Sequence, residues 1–213
     1  MYLPPQFTSE DRSLALALMR EHPFASLIGN DDEGLPYVTH LPLHVQLHTL
    51  AQGAQEELHL LGHVAKPNPH WRYLQARPRA LVTFLGPHAY MSPQVYPDEQ
   101  RVPTWNYLAV HCAVEATLIE DAEAKDALLK QLIGDHEPAY AARWRSLDPE
   151  FQRKMLNGIV AFELRVTALQ CKLKLNQHRP EAHAAMRAGY AAGSADEQGL
   201  AAWMDRLGLR GQA

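Results

Sequence analysis

The sequence lacks most of the features that would place it in a specialised class. It has only two cysteines, Cys112 and Cys171. Both sit inside apolar runs of strand character, where a small buried thiol is expected rather than a disulfide or a nucleophile. Positive charge is not in excess: 20 Lys and Arg stand against 24 Asp and Glu, a formal net charge of −4. No global field therefore draws the chain to nucleic acid or anionic lipid, and DNA binding, though possible through a local patch, gains no support from charge. No apolar run approaches the roughly 18 residues that span a bilayer, and MYLPPQF at the start lacks a charged region leading into an apolar one. A soluble, cytoplasmic protein without a membrane partner is expected. The 12 histidines come without HExxH or a Cys/His cluster at ligand spacing, so no metal site is expected.

What is present is enough for a substantial core: 213 residues, 46% of them hydrophobic, without repeats or a compositional break that would demand a second domain. Leu14 and Leu18 recur at helical spacing within 8–21, and Thr8 or Ser9 ahead of Glu10 and Asp11 marks a helix start. FASLIG, the turn NDDEG and PYVTHLPLHV form a predicted hairpin, with Pro42 marking its second strand as an edge or bulged one. Residues 46–56 are expected to be a polar loop. ELHLLGHVA and RALVTFLG are the next strands, separated by a short helix. An irregular Pro-rich segment from Ala89 to Pro103 is too long for a tight turn. WNYLAVHCAVEATLIE is the longest predicted strand, and IVAFELRVTALQCKLKL returns to β. Helical patterns fill about 121–157, cut by Pro138 and Pro149, and about 180–209, where Ser194 and Glu197 are spaced as a capping box. Six or so strands, mostly sequential neighbours, with helices inserted late, predict an α+β fold built on an antiparallel barrel in one domain, 1–213.

The stretch GHVAKPNPHW, 62–71, concentrates the most chemistry. Asn68 is a favoured N-cap and Pro69 a favoured first helical residue, so a helix should start at Pro69. Lys66 lies just ahead of first-turn amides that have no partners within the helix, which makes the corner a candidate seat for a phosphate or carboxylate; a self-capped helix with a solvated lysine is the alternative. His63 and His70 lie on opposite sides of the corner, with no spacing that aims both at one ion.

Along 105–119, Leu108, Val110, Cys112, Val114, Ala116 and Leu118 share one face, the predicted core. Trp105, Tyr107, His111, Glu115 and Thr117 share the other, which suits a ligand or a subunit interface or simply closes one end of the barrel. In 171–177, Cys171, Leu173 and Leu175 alternate with Lys172, Lys174 and Asn176, with Gln177 just beyond. That polar face could neutralise an anion or face solvent.

Taken together, MYLPPQF, HLPL at 40–43, GHVAKPNPHW, AYMSP with Tyr96, VPTWNY at 102–107 and KLKLNQ at 172–177 closely resemble the PaiB-type family, in the family's order and up to about Arg179. The resemblance implies an antiparallel split β-barrel of the FMN-binding type, related in fold to pyridoxamine phosphate oxidase, with added helices and C-terminal helices. It implies FMN as the cofactor, a homodimer with flavin at the subunit interface, and a role as a negative transcriptional regulator. A flavin-dependent oxidoreductase is the alternative, and a haem-binding protein a further one. Carried over by residue, Thr39, His40 and Leu41 would run beside the flavin ring. Gly62, His63, Val64, Ala65, Lys66 and Asn68 would approach the ring or its phosphate, with Lys66 the phosphate partner. Trp105, Asn106 and Tyr107 would complete the pocket, and Lys174, Asn176 and Gln177 would add polar contacts. The family often has Trp before the tyrosine that follows AYMSP; Val95 stands there in this chain, and Tyr96 is left out of the expected contacts. No catalytic acid or base is identified.

Overall fold

The computed structural model describes residues 1–49, 56–98 and 100–210. Its elements, in chain order, are β1 (Thr8–Ser9), α1 (Arg12–Glu21), β2 (Phe24–Asn30), β3 (Pro36–Pro42), β4 (His44–His48), β5 (Glu57–Ala65), α2 (His70–Ala76), β6 (Arg79–Met91), β7 (Thr104–Ile119), α3 (Ala122–His136), α4 (Tyr140–Ser146), α5 (Pro149–Asn157), β8 (Ile159–Lys174), α6 (His183–Ala191) and α7 (Ala195–Arg206). One eight-stranded sheet follows the path β3-β2-β6-β7-β8-β5-β4, with β1 paired to β8. The paired registers are antiparallel.

Several expected boundaries move. The first helix begins at Arg12, because Asp11 rather than Thr8 or Ser9 accepts the Ser13 N–H at 2.8 Å. Hydrogen bonds from Ser13 hold the Asp11 carboxyl below the usual carboxylate range. Thr8 and Ser9 instead pair with Lys172 and Cys171. Residues 46–48, expected in a loop, are in β4, where the ladder to β5 satisfies their backbone; 50–55 lie outside the described residues. β6 extends to Met91, which takes Ala89 to Met91 from the irregular segment into strand. The hairpin's second strand breaks after Pro42, which cannot donate to a ladder; β3 and β4 then lie at opposite ends of the sheet path.

The chain separates into two compact units, Met1–Glu21 with Leu85–Val110 and Gln170–Ala213, and His22–Phe84 with His111–Leu169. In the first, α1 buries Leu18 and Met19. Gly86 allows a close approach, since a Cβ there would lie 2.5 Å from Leu18 Cδ1. The Ser194/Glu197 capping box starts α7 as predicted, and Arg187 clamps Asp205 with two hydrogen bonds of 2.7 Å. In the second, the hairpin turn is closed by Asp31 Oδ1, which accepts from the N–H groups of Glu33 and Leu35. Gly34 takes the left-handed φ of 82° that the turn requires. Helix α3, capped by Asp121, packs Leu128 and Leu132 on Leu61, Ala161 and Ile119.

Candidate functional site

In the second unit, the β5-to-α2 corner is held by its own backbone. Lys66 N–H donates to Gly158 O at 2.9 Å and Asn68 N–H to Ala65 O at 2.8 Å, while Lys66 O accepts the Trp71 indole N–H at 3.0 Å. Helix α2 starts one residue later than expected and is seven residues long. The N-cap is Pro69, without a side-chain cap bond, rather than the expected Asn68; Asn68 Oδ1 accepts the His70 N–H at 3.0 Å from one residue further out. The fixed backbone leaves the Lys66 side chain exposed, without a hydrogen-bond or ion-pair partner among the described residues.

Behind Lys66 lies a network that the sequence did not reveal. His70 is fully buried, its Nδ1 2.8 Å from Thr39 Oγ1, and Thr39 Oγ1 also accepts from Asn68 Nδ2 at 3.2 Å. Tyr37 sets its ring edge-on to His70, with centroids 5.2 Å apart. Burial pushes the imidazole down to about 4, so it is neutral at pH 7. Its Nε2 is buried without a hydrogen-bond partner and faces Gly29, where a Cβ would come within 2.9 Å. The network was hidden because Thr39 and His70 are 31 residues apart; His70 lies in GHVAKPNPHW and Thr39 directly precedes HLPL, and that was the available signal.

The other expected residues of this unit divide by exposure. His40 is exposed and meets Ser26 Oγ at 3.0 Å. Leu41, Gly62 and Val64 are buried. Gly62 serves packing, since a Cβ there would fall 2.5 Å from Leu43 Cδ2. His63 is half-buried and lowered by desolvation, and Ala65 is exposed.

In the first unit, the lysine strand is engaged by its neighbours. Lys172, 6% exposed, donates to Tyr2 O at 3.1 Å and lies 5.0 Å from the centre of the Tyr107 ring. Lys174 donates to Thr104 Oγ1 and to Trp105 O at 2.7 Å. Desolvation, and then the neighbouring Lys172, lowers the Lys174 pKa. Neither ammonium has a carboxylate partner among the described residues. Asn176 adopts a φ of 63°, uncommon for a residue other than glycine, and its amide donates to Tyr96 OH at 2.7 Å. Gln177 closes the turn on Leu173 O and Leu175 N–H. Asn106 is fully buried and donates to Tyr190 OH at 3.0 Å and Met186 Sδ at 3.2 Å. Trp105 is 49% exposed and donates to His88 Nδ1 at 3.2 Å. Lys172 and Tyr2 were not among the expected contacts; the alternation with Lys174 signalled the first.

The motif stretches thus gather into two clusters. Thr39, next to HLPL, meets GHVAKPNPHW through Asn68 and His70. MYLPPQF, AYMSP with Tyr96, VPTWNY and KLKLNQ meet through Lys172, Lys174 and Asn176. Burial raises the Cys171 thiol to about 11, which leaves that cysteine in the inert state expected of it.

Comparison with known proteins bears on what these clusters serve. "Protease synthase and sporulation protein PAI 2" of Bacillus subtilis is 34% identical over 186 residues, covering 85% of this chain and 84% of that protein. An uncharacterized protein of Emericella nidulans is 24% identical over 212 residues, covering 83% and 84%. Among solved structures, the FAD and haem binding protein from Mycobacterium smegmatis superposes with a TM-score of 0.60 at 18% identity, covering 78% of this chain and 73% of that one. The flavocytochrome Anf3 from Azotobacter vinelandii gives 0.56 at 18% identity, covering 78% and 69%. At such identities these likenesses concern the fold, an antiparallel split barrel with added helices. The family model described as "Putative FMN-binding domain" matches residues 1–168 and stops short of KLKLNQ. With FMN as the cofactor that this match supports, the chain belongs to that FMN-binding family.

Proposed function

We propose that the chain is a homodimeric, cytoplasmic protein of PaiB type, with residues 1–213 acting as one domain that binds FMN and serves negative transcriptional regulation. The observation that carries the flavin site is the β5-to-α2 corner, where an exposed, unpaired Lys66 sits on a fixed backbone beside a neutral polar network. A phosphate dianion needs a cation not already committed to a carboxylate, and Lys66 meets that condition. Strand β3 ends the sheet path, so alternate N–H and C=O groups along Thr39 to Leu41 are left to hydrogen-bond the polar edge of a flavin ring. Bound FMN supplies a carrier for one or two electrons. The first-unit lysines are already held by Tyr2, Thr104 and Trp105, and we assign them, with Asn106, Asn176 and Gln177, to framing rather than to the phosphate.

Dimerisation is supported by exposed apolar side chains that water leaves uncovered: Leu85 at 55%, Tyr90 at 51% and Trp105 at 49% in the first unit, Phe24 at 67% and Val38 at 46% in the second. The regulatory role rests on the resemblance of the motif stretches to the PaiB-type family; the name of the Bacillus subtilis relative speaks of protease synthesis and sporulation. The formal charge of −4 argues for action without tight direct DNA recognition.

The test is titration of FMN and riboflavin against the parent protein and Lys66→Ala. Losing a charge-assisted contact of about 1.5–3 kcal/mol should weaken FMN by roughly 10- to 150-fold. Riboflavin, which lacks the phosphate, should respond little. Equal losses for both ligands, or no loss for either, would overturn the assignment of the phosphate to Lys66.

A further inference from the structure

We propose that His48, His59 and Glu163 form a binding site for one divalent first-row transition ion, with zinc the best match to the donors. The site is independent of the flavin reading and departs from the sequence expectation of no metal. None of these residues belongs to the family-like motif stretches.

The sheet brings the three residues together. His48 ends β4, His59 lies on β5 and Glu163 on β8, and these strands are neighbours in the order β8-β5-β4. His48 pairs with Glu57, and Leu61 with Glu163. Since Glu57, His59 and Leu61 alternate on one face of β5, all three candidate ligands share that face. One donor atom from each lies within 4.8 Å of the others. Glu163 Oε1 is 2.9 Å from His59 Nδ1 and 3.5 Å from His48 Nε2. Tetrahedral ligands with bonds of 2.0–2.1 Å stand about 3.3 Å apart, so the two separations bracket the spacing a zinc ion imposes.

The hydrogen-bonding pattern is the second, independent observation. His59 is 7% exposed, yet its Nδ1 makes no hydrogen bond, and His48 Nε2 is likewise buried without a partner. Both nitrogens lie at ion-pair distance from the Glu163 carboxylate without being aligned to donate to it. Two buried imidazole nitrogens without a hydrogen-bond partner, both close to one carboxylate, are donors that a shared cation would satisfy. Glu57 Oε2 lies 3.3 Å from His59 Nε2, so that in the Nε2–H tautomer it accepts that proton and Nδ1 is left unprotonated toward the site. This is the carboxylate–histidine arrangement that orients metal ligands. The rings of His48 and His59 lie with centroids 4.3 Å apart, tilted by 37°. Leu61 and Ala161, two residues along from His59 and Glu163, are packed under α3 and stiffen the floor. The His48 and Glu163 side chains are 41% and 31% exposed, which gives the ion a way in and leaves a position for solvent.

The experiment strips the protein with a chelator and titrates ZnCl2 by calorimetry and CoCl2 by visible absorption. One saturable ion per chain is expected, with a Co2+ d–d band and a higher melting temperature at saturation. His59→Ala should abolish the band, and Glu57→Gln should weaken Zn2+ by roughly 10- to 100-fold while leaving one site. His44→Ala, which removes only the partner of Asp135 at 2.6 Å, should bind as the parent does. If the His59 variant fails to fold, His48→Ala at the half-exposed position gives the same readout. Absence of saturable binding, or binding unchanged in both the His48 and His59 variants, would overturn the site and leave an imidazole bridging two carboxylates.

Discussion

At the corner after β5 the cation is exposed and the buried imidazole beside it is neutral. At the lysine strand Lys172 is withdrawn from water, 6% exposed, Lys174 is half-buried, and both are held by carbonyls, a hydroxyl and aromatic rings instead of carboxylates. Both clusters collect family-like motif residues, yet their polar groups are arranged for different ends. The corner keeps its charge available and spends its neutral groups on rigidity. The lysine strand uses its charges to tie Tyr2 and the start of β7 to β8, the strand that carries them. Sequence motif and available charge are therefore separate properties, and ligand assignments follow the second.

The largest expected effect breaks the corner by acid. His70 titrates at about 4 in the folded chain against an ordinary 6.5, so below 6.5 the unfolded chain takes up the proton first. Stability should be complete above that pH and fall as pH drops toward 4, by up to about 3 kcal/mol. His63, also lowered by burial, adds in the same direction. Denaturant unfolding at pH 7 and pH 4.5 measures this. His70→Asn should be less stable at pH 7 and lose most of the acid slope; an unchanged slope would remove His70 from the account.

A smaller effect tests the fit around the same ring. Gly29→Ala places a methyl 2.9 Å from His70 Nε2, and a fully buried ring has little room to yield, so a loss of about 1–3 kcal/mol is expected. FMN affinity should fall with it if the corner is the phosphate site. An alanine that leaves both stability and affinity intact would show the network to be softer than its packing implies.

The smallest effect sharpens the contrast from the other cluster. Lys172→Met loses one hydrogen bond and cation–π contacts worth about 0.5–1 kcal/mol each, offset by relief of a buried, uncompensated charge. Melting should shift little and FMN affinity should stay as in the parent, the reverse of Lys66→Ala. A drop in FMN but not riboflavin affinity would move the phosphate to the lysine strand.

Local patterning and capping chemistry determined much of this protein by themselves. The alternation along 105–119 placed the buried Leu108, Val110, Cys112 and Val114 of β7, because side-chain direction in a strand depends only on parity, while Ala116 and Leu118 are only half-buried and Ala109 is buried on the other face. The Ser194/Glu197 pair acted as a capping box, and Pro138 and Pro149 separated α3, α4 and α5 as predicted, because these effects span only a few residues. Tertiary structure alone decided what lies across the sheet. Nothing in the spacing of His48, His59 and Glu163 hints that β4, β5 and β8 are neighbours. Lys172 reads as half of a solvated pair until Tyr2 and Tyr107 cover it. Pairing across strands is set by the closure of the whole sheet, and with it the environment that decides whether a histidine or lysine carries its charge, binds an ion or packs as core.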